Sequence, residues 1–152
     1  MNSTMLLAIR VGPASRGPTR VAVDLAQRIG AHIVVLVVAN ELHPIDLTGA
    51  PGLTLDEQQE GLVEEAGSTL REFMATHMQG VDASARVESG AVADVVARVA
   101  TEIGAHYIVV GTRGRGTLAR LILGDTTQAI LQHAPCPVVV VPIKDEPDDG
   151  GA

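Results

Sequence analysis

Aromatic residues are almost absent from this chain of 152 residues, which has one Phe, one Tyr and no Trp. Hydrophobic residues still make up 46% of the sequence, so the core must be built from aliphatic side chains. A chain of this length fits one domain that buries roughly two thirds of the surface exposed by its unfolded form. Its composition favours a parallel sheet of valine and isoleucine flanked by helices rich in alanine and leucine.

Cysteine is equally scarce, because Cys136 is the only one. An internal disulfide is therefore excluded, and the Pro-Cys-Pro setting beside a valine run favours packing over a reactive thiol. The five histidines show no metal-ligand spacing, so we expect no metal site. The sequence has no Gly-x-Ser-x-Gly segment of the kind found in serine hydrolases and nominates no catalytic residue.

Long hydrophobic runs and excess positive charge are also lacking. The apolar stretch at residues 5–9 is too short for a signal peptide, and no run approaches the length of a membrane span, so we expect a cytoplasmic protein. A net charge of −7 argues against nucleic acids and anionic membranes as partners. Part of the acidic charge lies in residues 144–152, which we interpret as a flexible tail after a domain at 1–143.

The pattern of apolar residues predicts alternating strands and helices. Continuous or alternating apolar runs indicate five strands, at residues 5–9, 33–39, 81–87, 107–110 and 138–141. Helical periodicity, a capping box at Thr54 and stop signals at Gly30 and Gly104 indicate helices at about 18–29, 54–78, 92–103 and 126–133. This order predicts one doubly wound, open parallel sheet with helices on both faces, and the alternation at 81–87 places that strand near an edge.

Two connecting segments stand out. Residues 40–52 form a connector longer than most loops, which is either a lid or simply mobile. Residues 118–123 suggest a helical turn inside the second connector, which joins the fourth strand to the last helix.

A glycine-rich stretch follows the predicted fourth strand and runs Gly111-Thr112-Arg113-Gly114-Arg115-Gly116, with Gly124 just before the last helix. Bare backbone amides and a helix N-terminus at the carboxyl end of a strand favour an anion, and phosphate above all. The stretch is not a Walker loop, because Thr117 follows the last glycine where that loop needs lysine. The dinucleotide fingerprint is excluded as well, because the first strand ends in Arg10-Val11-Gly12.

The spacing Gly111-x2-Gly114-x9-Gly124, the closing segment at 134–142 and the helix pattern at 22–31 resemble the universal stress protein family. The resemblance extends over nearly the whole chain. It implies a small cytosolic α/β protein with the strand order 3-2-1-4-5, usually a dimer through the last strand. One branch of the family binds ATP or AMP and another does not.

The resemblance also implies a nucleotide site. The three glycines would approach the ribose and the phosphates, Arg113 would lie in the phosphate stretch, and Val38 and Val110 would line the adenine pocket. ATP or AMP is the implied ligand, with Mg²⁺ only if a triphosphate is bound. The full set of candidate nucleotide-binding residues is Ala8, Ile9, Arg10, Val38, Val110, Gly111, Thr112, Arg113, Gly114, Gly124, Asp125 and Thr126.

Two positions depart from the family pattern. Arg10 stands where the family has an acid, and Asp125 stands where its nucleotide-binding members have Ser or Thr. Asp125 with Gln128 has the spacing of a helix cap, but its carboxylate would also repel a phosphate. Arg10 either pairs with Asp125, donates to a phosphate or points to solvent.

Two functional hypotheses follow. In the first, the protein binds an adenine nucleotide as a regulatory or sensor module in a stress response, with slow ATP hydrolysis as the most that could be expected of it. In the second, it is a dimeric interaction protein without nucleotide, whose pocket is closed by Arg10 and Asp125. In either case Val138–Val141, apolar on both faces, is the strand expected to pair with a second copy.

Overall fold

The computed structural model describes residues 2–39, 54–113 and 123–143. The connector predicted at 40–52, the acidic tail, Gly114 and most of the helical turn predicted at 118–123 lie outside the described residues. The described strands are β1 (Ser3–Ala8), β2 (Ala31–Ala39), β3 (Ala83–Ser89), β4 (Tyr107–Arg113) and β5 (Val138–Ile143). The helices are α1 (Arg16–Ile29), α2 (Leu55–His77), α3 (Val92–Ile103) and α4 (Asp125–His133), and a 3-10 turn, Pro13–Ser15, precedes α1.

The five strands form one parallel sheet in the order β3-β2-β1-β4-β5. This confirms the doubly wound α/β fold and the strand order 3-2-1-4-5, with β1 at the centre and β3 and β5 at the edges. Among the described residues, no helix combines the length and the apolar character needed to cross a membrane.

Both faces of the sheet are covered by helices, which explains the unbroken apolar runs of the central strands. In β1, Met5, Leu6 and Leu7 are all fully buried, although successive side chains of a strand point to opposite faces. Met5 and Leu7 belong to the core that contains residues of α1 and α2. Leu6 belongs to a second core, which contains residues of α3 and α4.

The helix boundaries follow the signals in the sequence. Gly30 and Gly104 end α1 and α3 in the left-handed conformation, with φ of 67° and 64°, which glycine adopts at no steric cost. At the start of α2, the Glu57 N–H donates to Thr54 Oγ1 at 3.2 Å and the Thr54 N–H donates to Glu57 Oε2 at 2.8 Å. The predicted capping box is therefore confirmed.

The carboxyl ends of β1 and β4 differ from the prediction. Gly111, Thr112 and Arg113 are not a loop but the last residues of β4, because they pair with residues 141–143 of β5. In contrast, β1 ends at Ala8, one residue earlier than predicted.

Pro142, predicted to close β5, lies inside this strand. The Ile108 N–H donates to the Pro137 carbonyl at 3.0 Å, so the backbone carbonyl of residue 137 points toward β4. Because the backbone N–H and C=O of one residue point to the same side, and this side alternates along a strand, the amides of the odd-numbered residues of β5 also point toward β4. Position 142 faces away from β4, and a proline there removes no hydrogen bond of the ladder.

Candidate functional site at the carboxyl ends of β1 and β4

A cleft of about 550 Å³ lies where β1, β4 and β5 end and where α1 and α4 begin. This is the edge of the sheet at which open α/β proteins bind their ligands, and the volume lies within the usual range for small-molecule sites. The lining residues are Ala8, Ile9, Arg10, Val11, Gly12, Pro13, Ala14, Ser15, Pro18, Gly111, Thr112, Arg113, Thr126, Thr127 and Ile143.

The charge of the cleft is opposite to that of the chain. Arg10 and Arg113 line it, and its described lining contains no Asp or Glu, although the protein carries a net charge of −7. Across residues 2–39, 54–113 and 123–143, neither arginine has an ion-pair partner. Two guanidinium groups without an ion-pair partner among the described residues, in one concave site, favour an anionic guest.

Buried hydroxyl groups form the polar floor of the cleft. Ser15, Thr112 and Thr127 are 3%, 3% and 5% exposed. Ser15 Oγ donates to the carbonyl of Gly12 at 2.6 Å and lies 3.3 Å from the Gly12 N–H, which fixes the turn between β1 and α1. Thr112 Oγ1 accepts a long hydrogen bond of 3.4 Å from the Gly124 N–H, so it links the end of β4 to the start of α4.

The N-terminus of α4 has no side-chain cap of the kind predicted. Gly124, not Asp125, is the N-cap residue, and it supplies no side-chain hydrogen bond. Asp125 is the first residue of the helix, is exposed and does not line the cleft. The Gln128 amide nitrogen donates instead to the Leu123 carbonyl at 3.0 Å. The cap prediction for Asp125 is therefore wrong, because the chain enters the helix one residue earlier.

The surroundings of Gly111 and Gly124, the two described glycines of the motif, differ. A Cβ on Gly111 would lie 2.7 Å from Ile143 Cδ1 and 2.7 Å from Pro18 Cγ, so packing of the protein's own side chains requires glycine there. A Cβ on Gly124 would meet no atom of the described residues within 4 Å. No described side chain therefore requires glycine at position 124, as expected of backbone that a ligand approaches.

The structure brings most of the candidate site residues together, but not all of them. Ala8, Ile9, Arg10, Gly111, Thr112, Arg113 and Thr126 line the cleft, with Gly124 hydrogen-bonded to Thr112. Val38 and Val110 do not line it. Val110 is 3% exposed within the core that faces α3 and α4, and Val38 packs partly against the same core.

Arg10 and Asp125 form no ion pair in the described structure, so the contact proposed to close the pocket is not present.

Sequence reasoning missed Ser15, Thr127, Pro18 and Ile143, all of which line the cleft. The available signal was the position of the Gly12-Pro13-Ala14-Ser15 segment directly after a strand that ends at the binding edge. Thr127 had a similar signal, because it stands in the first turn of the helix that follows the glycines. Pro18 and Ile143 reach the cleft only through tertiary packing.

The resolved pKa shifts belong to residues outside the cleft. Glu102 on α3 accepts hydrogen bonds from Arg86 and from Arg98, the latter at 2.9 Å, and these bonds lower the pKa of its carboxyl. Hydrogen bonds to Glu102 and Glu88 raise the pKa of Arg86 on β3. Burial raises the pKa of the Cys136 thiol, which disfavours the reactive thiolate and agrees with a packing role. Among the described residues, no three His, Cys, Asp or Glu side chains are grouped to hold a metal ion.

Comparison with known proteins identifies relatives over the full extent of the fold. The sequence model of the universal stress protein family matches residues 1–142. A universal stress protein of Thermus aquaticus is 34% identical over 142 residues, an alignment that covers 93% of this chain and 99% of that relative.

Solved structures show the same fold. The structure of hypothetical protein MJ0577 superimposes with a TM-score of 0.76 at 18% identity, covering 96% of this chain and 99% of that protein. A universal stress protein from Archaeoglobus fulgidus, solved in complex with dAMP, superimposes with a TM-score of 0.54 at 17% identity, covering 93% of this chain and 98% of that protein.

Proposed function

Because this chain belongs to the universal stress protein family, as the match over residues 1–142 shows, we propose that its cleft binds an adenine nucleotide. The single observation that carries this proposal is that Arg10 and Arg113 both line a cleft whose described lining has no carboxylate. The complex of the Archaeoglobus relative with dAMP supports an adenine nucleotide over other anions. We infer that the protein serves as a regulatory or sensor module in a stress response.

In this proposal the phosphate lies between the two arginines and the first turn of α4. Arg113 approaches it from the end of β4 and Arg10 from the end of β1, while Thr126 and Thr127 belong to the uncapped helix N-terminus. The amides of such a terminus and the helix dipole both favour an anion.

We expect a monophosphate to bind better than a triphosphate. The described lining offers two cations, and the exposed carboxylate of Asp125 in the first turn of α4 reduces the positive potential of the helix N-terminus. Each further phosphate adds negative charge for which the described lining has no further cation. We expect Mg²⁺ to bind only if a triphosphate is bound.

The cleft is proposed as a binding site and not as a catalytic one. Its described lining has no Asp, Glu or His that would serve as a general base. The arginines and amides would stabilise charge on a phosphoryl group, but activation of water needs a further group. Slow hydrolysis of ATP is therefore the most that we expect of this site.

Calorimetric titration with AMP, ADP, ATP and cyclic AMP tests the proposal, together with mass spectrometry of the small molecules released from the denatured, freshly purified protein. We expect heat of binding and a rise in melting temperature with AMP. The absence of both at millimolar AMP, with no nucleotide in the purified protein, would refute it. That result would favour the second hypothesis, a dimeric interaction protein without nucleotide. In that hypothesis the pocket would be closed by something other than an ion pair between Arg10 and Asp125, because the described structure does not contain this ion pair.

We also infer that the protein forms a homodimer through β5. This strand lies at an edge of the sheet, and the side chains of Val138–Val141 are only half-buried on both of its faces. An edge strand that is apolar on both faces is suited to pair with the same strand of a second copy about a two-fold axis.

A further inference from the structure

Three polar side chains meet at the amino ends of β2 and β3, at the edge of the sheet opposite the cleft. His32 Nδ1 lies 2.9 Å from Asp82 Oδ2, and His32 Nε2 lies 3.0 Å from Ser84 Oγ. We call Ser84, His32 and Asp82 the edge triad. Its atoms are connected in the order found in serine hydrolases, with the carboxylate on Nδ1 and the hydroxyl on Nε2.

The carboxylate decides which nitrogen of His32 carries the proton. An ionised carboxylate only accepts hydrogen bonds, so Nδ1 is the protonated nitrogen when the ring is neutral. Nε2 is then free to accept the Ser84 hydroxyl proton. This is the tautomer that a general base needs in order to activate a serine.

The strands hold His32 and Ser84 in place and leave the serine accessible. Ser84 pairs in register with Val34, two residues after His32, so the side chains of His32 and Ser84 share the face of the sheet that packs on α3. Ser84 is exposed. Asp82 directly precedes β3, and its carbonyl accepts the Ile33 N–H at 2.9 Å, which ties this turn to β2.

The same register supplies a donor for developing negative charge. Because the Ile33 N–H donates to the Asp82 carbonyl, the even-numbered amides of β3 turn toward β2 and the odd-numbered amides turn outward. The Ala85 N–H therefore faces away from β2 beside Ser84, at the edge of the described sheet. The amide that follows the nucleophile is a recurrent component of oxyanion holes.

We propose that the edge triad is a second, chemically active site in which Ser84 is the nucleophile toward small activated esters. Ser84 and His32 are its catalytic residues, and Asp82 is a positioning residue that acts through His32. The exposure of Ser84 limits the substrates to small acyl donors with good leaving groups, because the site offers little surface to bind a large one. This site is separate from the nucleotide cleft and does not depend on the proposed function of that cleft.

The reaction balances as acyl transfer to serine followed by hydrolysis. Ser84 Oγ forms a bond to the carbonyl carbon while its proton passes to His32 Nε2, and the bond from that carbon to the leaving oxygen breaks as His32 gives this proton to the leaving oxygen, which departs as an alcohol. Water then attacks the acyl-serine, His32 takes the proton of this water, and the bond between Ser84 Oγ and the acyl carbon breaks. Ser84 Oγ recovers a proton from His32, and the carboxylic acid is released.

Labelling with a fluorophosphonate probe tests the proposal on the whole chain. The probe forms a bond between phosphorus and Ser84 Oγ with loss of fluoride, and peptide mass spectrometry locates the label. We expect Ser84 to be the labelled serine and His32→Ala to lower the rate of labelling about 100-fold, the usual contribution of a general base. Added imidazole should restore part of the rate in His32→Ala, which a purely structural role of His32 would not allow.

Matched variants separate chemistry from stability. Ser89→Ala changes an exposed serine of the same strand and should leave labelling unchanged, whereas Ser84→Ala should abolish it. Asp82→Asn should slow labelling, and Asp82→Glu should retain more of the rate because it keeps a carboxylate for Nδ1. Circular dichroism confirms that each variant is folded. Labelling of other serines, or an equal rate in folded His32→Ala, would overturn the proposal, as would the absence of any label on the wild type.

Discussion

Arg10 lies two residues past the end of β1, Arg113 ends β4, and both line one cleft between these neighbouring strands. Like charges in one site repel each other, and in this cleft no described carboxylate offsets them. Such an arrangement is stabilised by an anionic ligand, and it lies at the sheet edge where the fold places ligands. Arg10, the departure from the family pattern, thus adds to the positive charge of the site.

Arg10→Gln should weaken AMP binding by about 10-fold to 100-fold, because a hydrogen bond to a charged group contributes about 1.5–3 kcal/mol. Arg20→Gln is the matched control, since Arg20 is an exposed arginine of α1 outside the cleft. Calorimetric titration of both variants with AMP measures the effect. Equal affinities in the two variants would show that Arg10 does not touch the ligand.

The sequence predicted the helix boundaries better than the site because helix ends depend on nearby residues. Gly30 and Gly104 end their helices through their own backbone angles. Gly111–Arg113 was misread as a loop because its strand character comes from pairing with β5, about 30 residues further along the chain. Asp125 had the right spacing for a cap, but the path of the chain into α4 makes Gly124 the cap.

The edge triad could not be predicted from the sequence. His32 and Ser84 are 52 residues apart and meet only because β2 and β3 are neighbours in a fixed register. Long-range pairs of this kind have no local pattern of residue types.

Gly111→Ala should destabilise the protein by about 1–3 kcal/mol, because overpacking forces neighbouring side chains away from their preferred positions. The new Cβ would lie 2.7 Å from both Ile143 Cδ1 and Pro18 Cγ. Gly124→Ser is the control, since its Cβ would meet no described atom within 4 Å, its φ of −66° is accessible to serine, and serine is a favourable N-cap residue. Urea unfolding of the two variants decides the matter, and similar losses of stability would contradict the packing argument.

The stability of the protein should fall in acid partly through Glu102. Hydrogen bonds from Arg86 and Arg98 lower its folded pKa below the ordinary value of 4.5. The contribution of Glu102 to the free energy of unfolding is therefore complete above about pH 4.5, and it is lost as the pH falls through the lower pKa of the folded state. Glu102→Gln should lower the melting temperature at neutral pH and approach the wild type in acid. Glu60→Gln, at an exposed position of α2, should not reproduce this pH dependence, and parallel curves for wild type and Glu102→Gln would contradict the argument.

The proposed dimer depends on the outward amides of β5, which at positions 138 and 140 face away from β4. Val140→Pro removes one of these donors without removing a ladder bond, as the natural Pro142 does two residues later. Light scattering should give twice the 15.8 kDa of one chain for the wild type and a shift toward the monomer for Val140→Pro. Pro142→Val adds an outward donor and should keep the dimer. A wild-type monomer at micromolar concentration, or a Val140→Pro variant that is folded and fully dimeric, would count against pairing through β5.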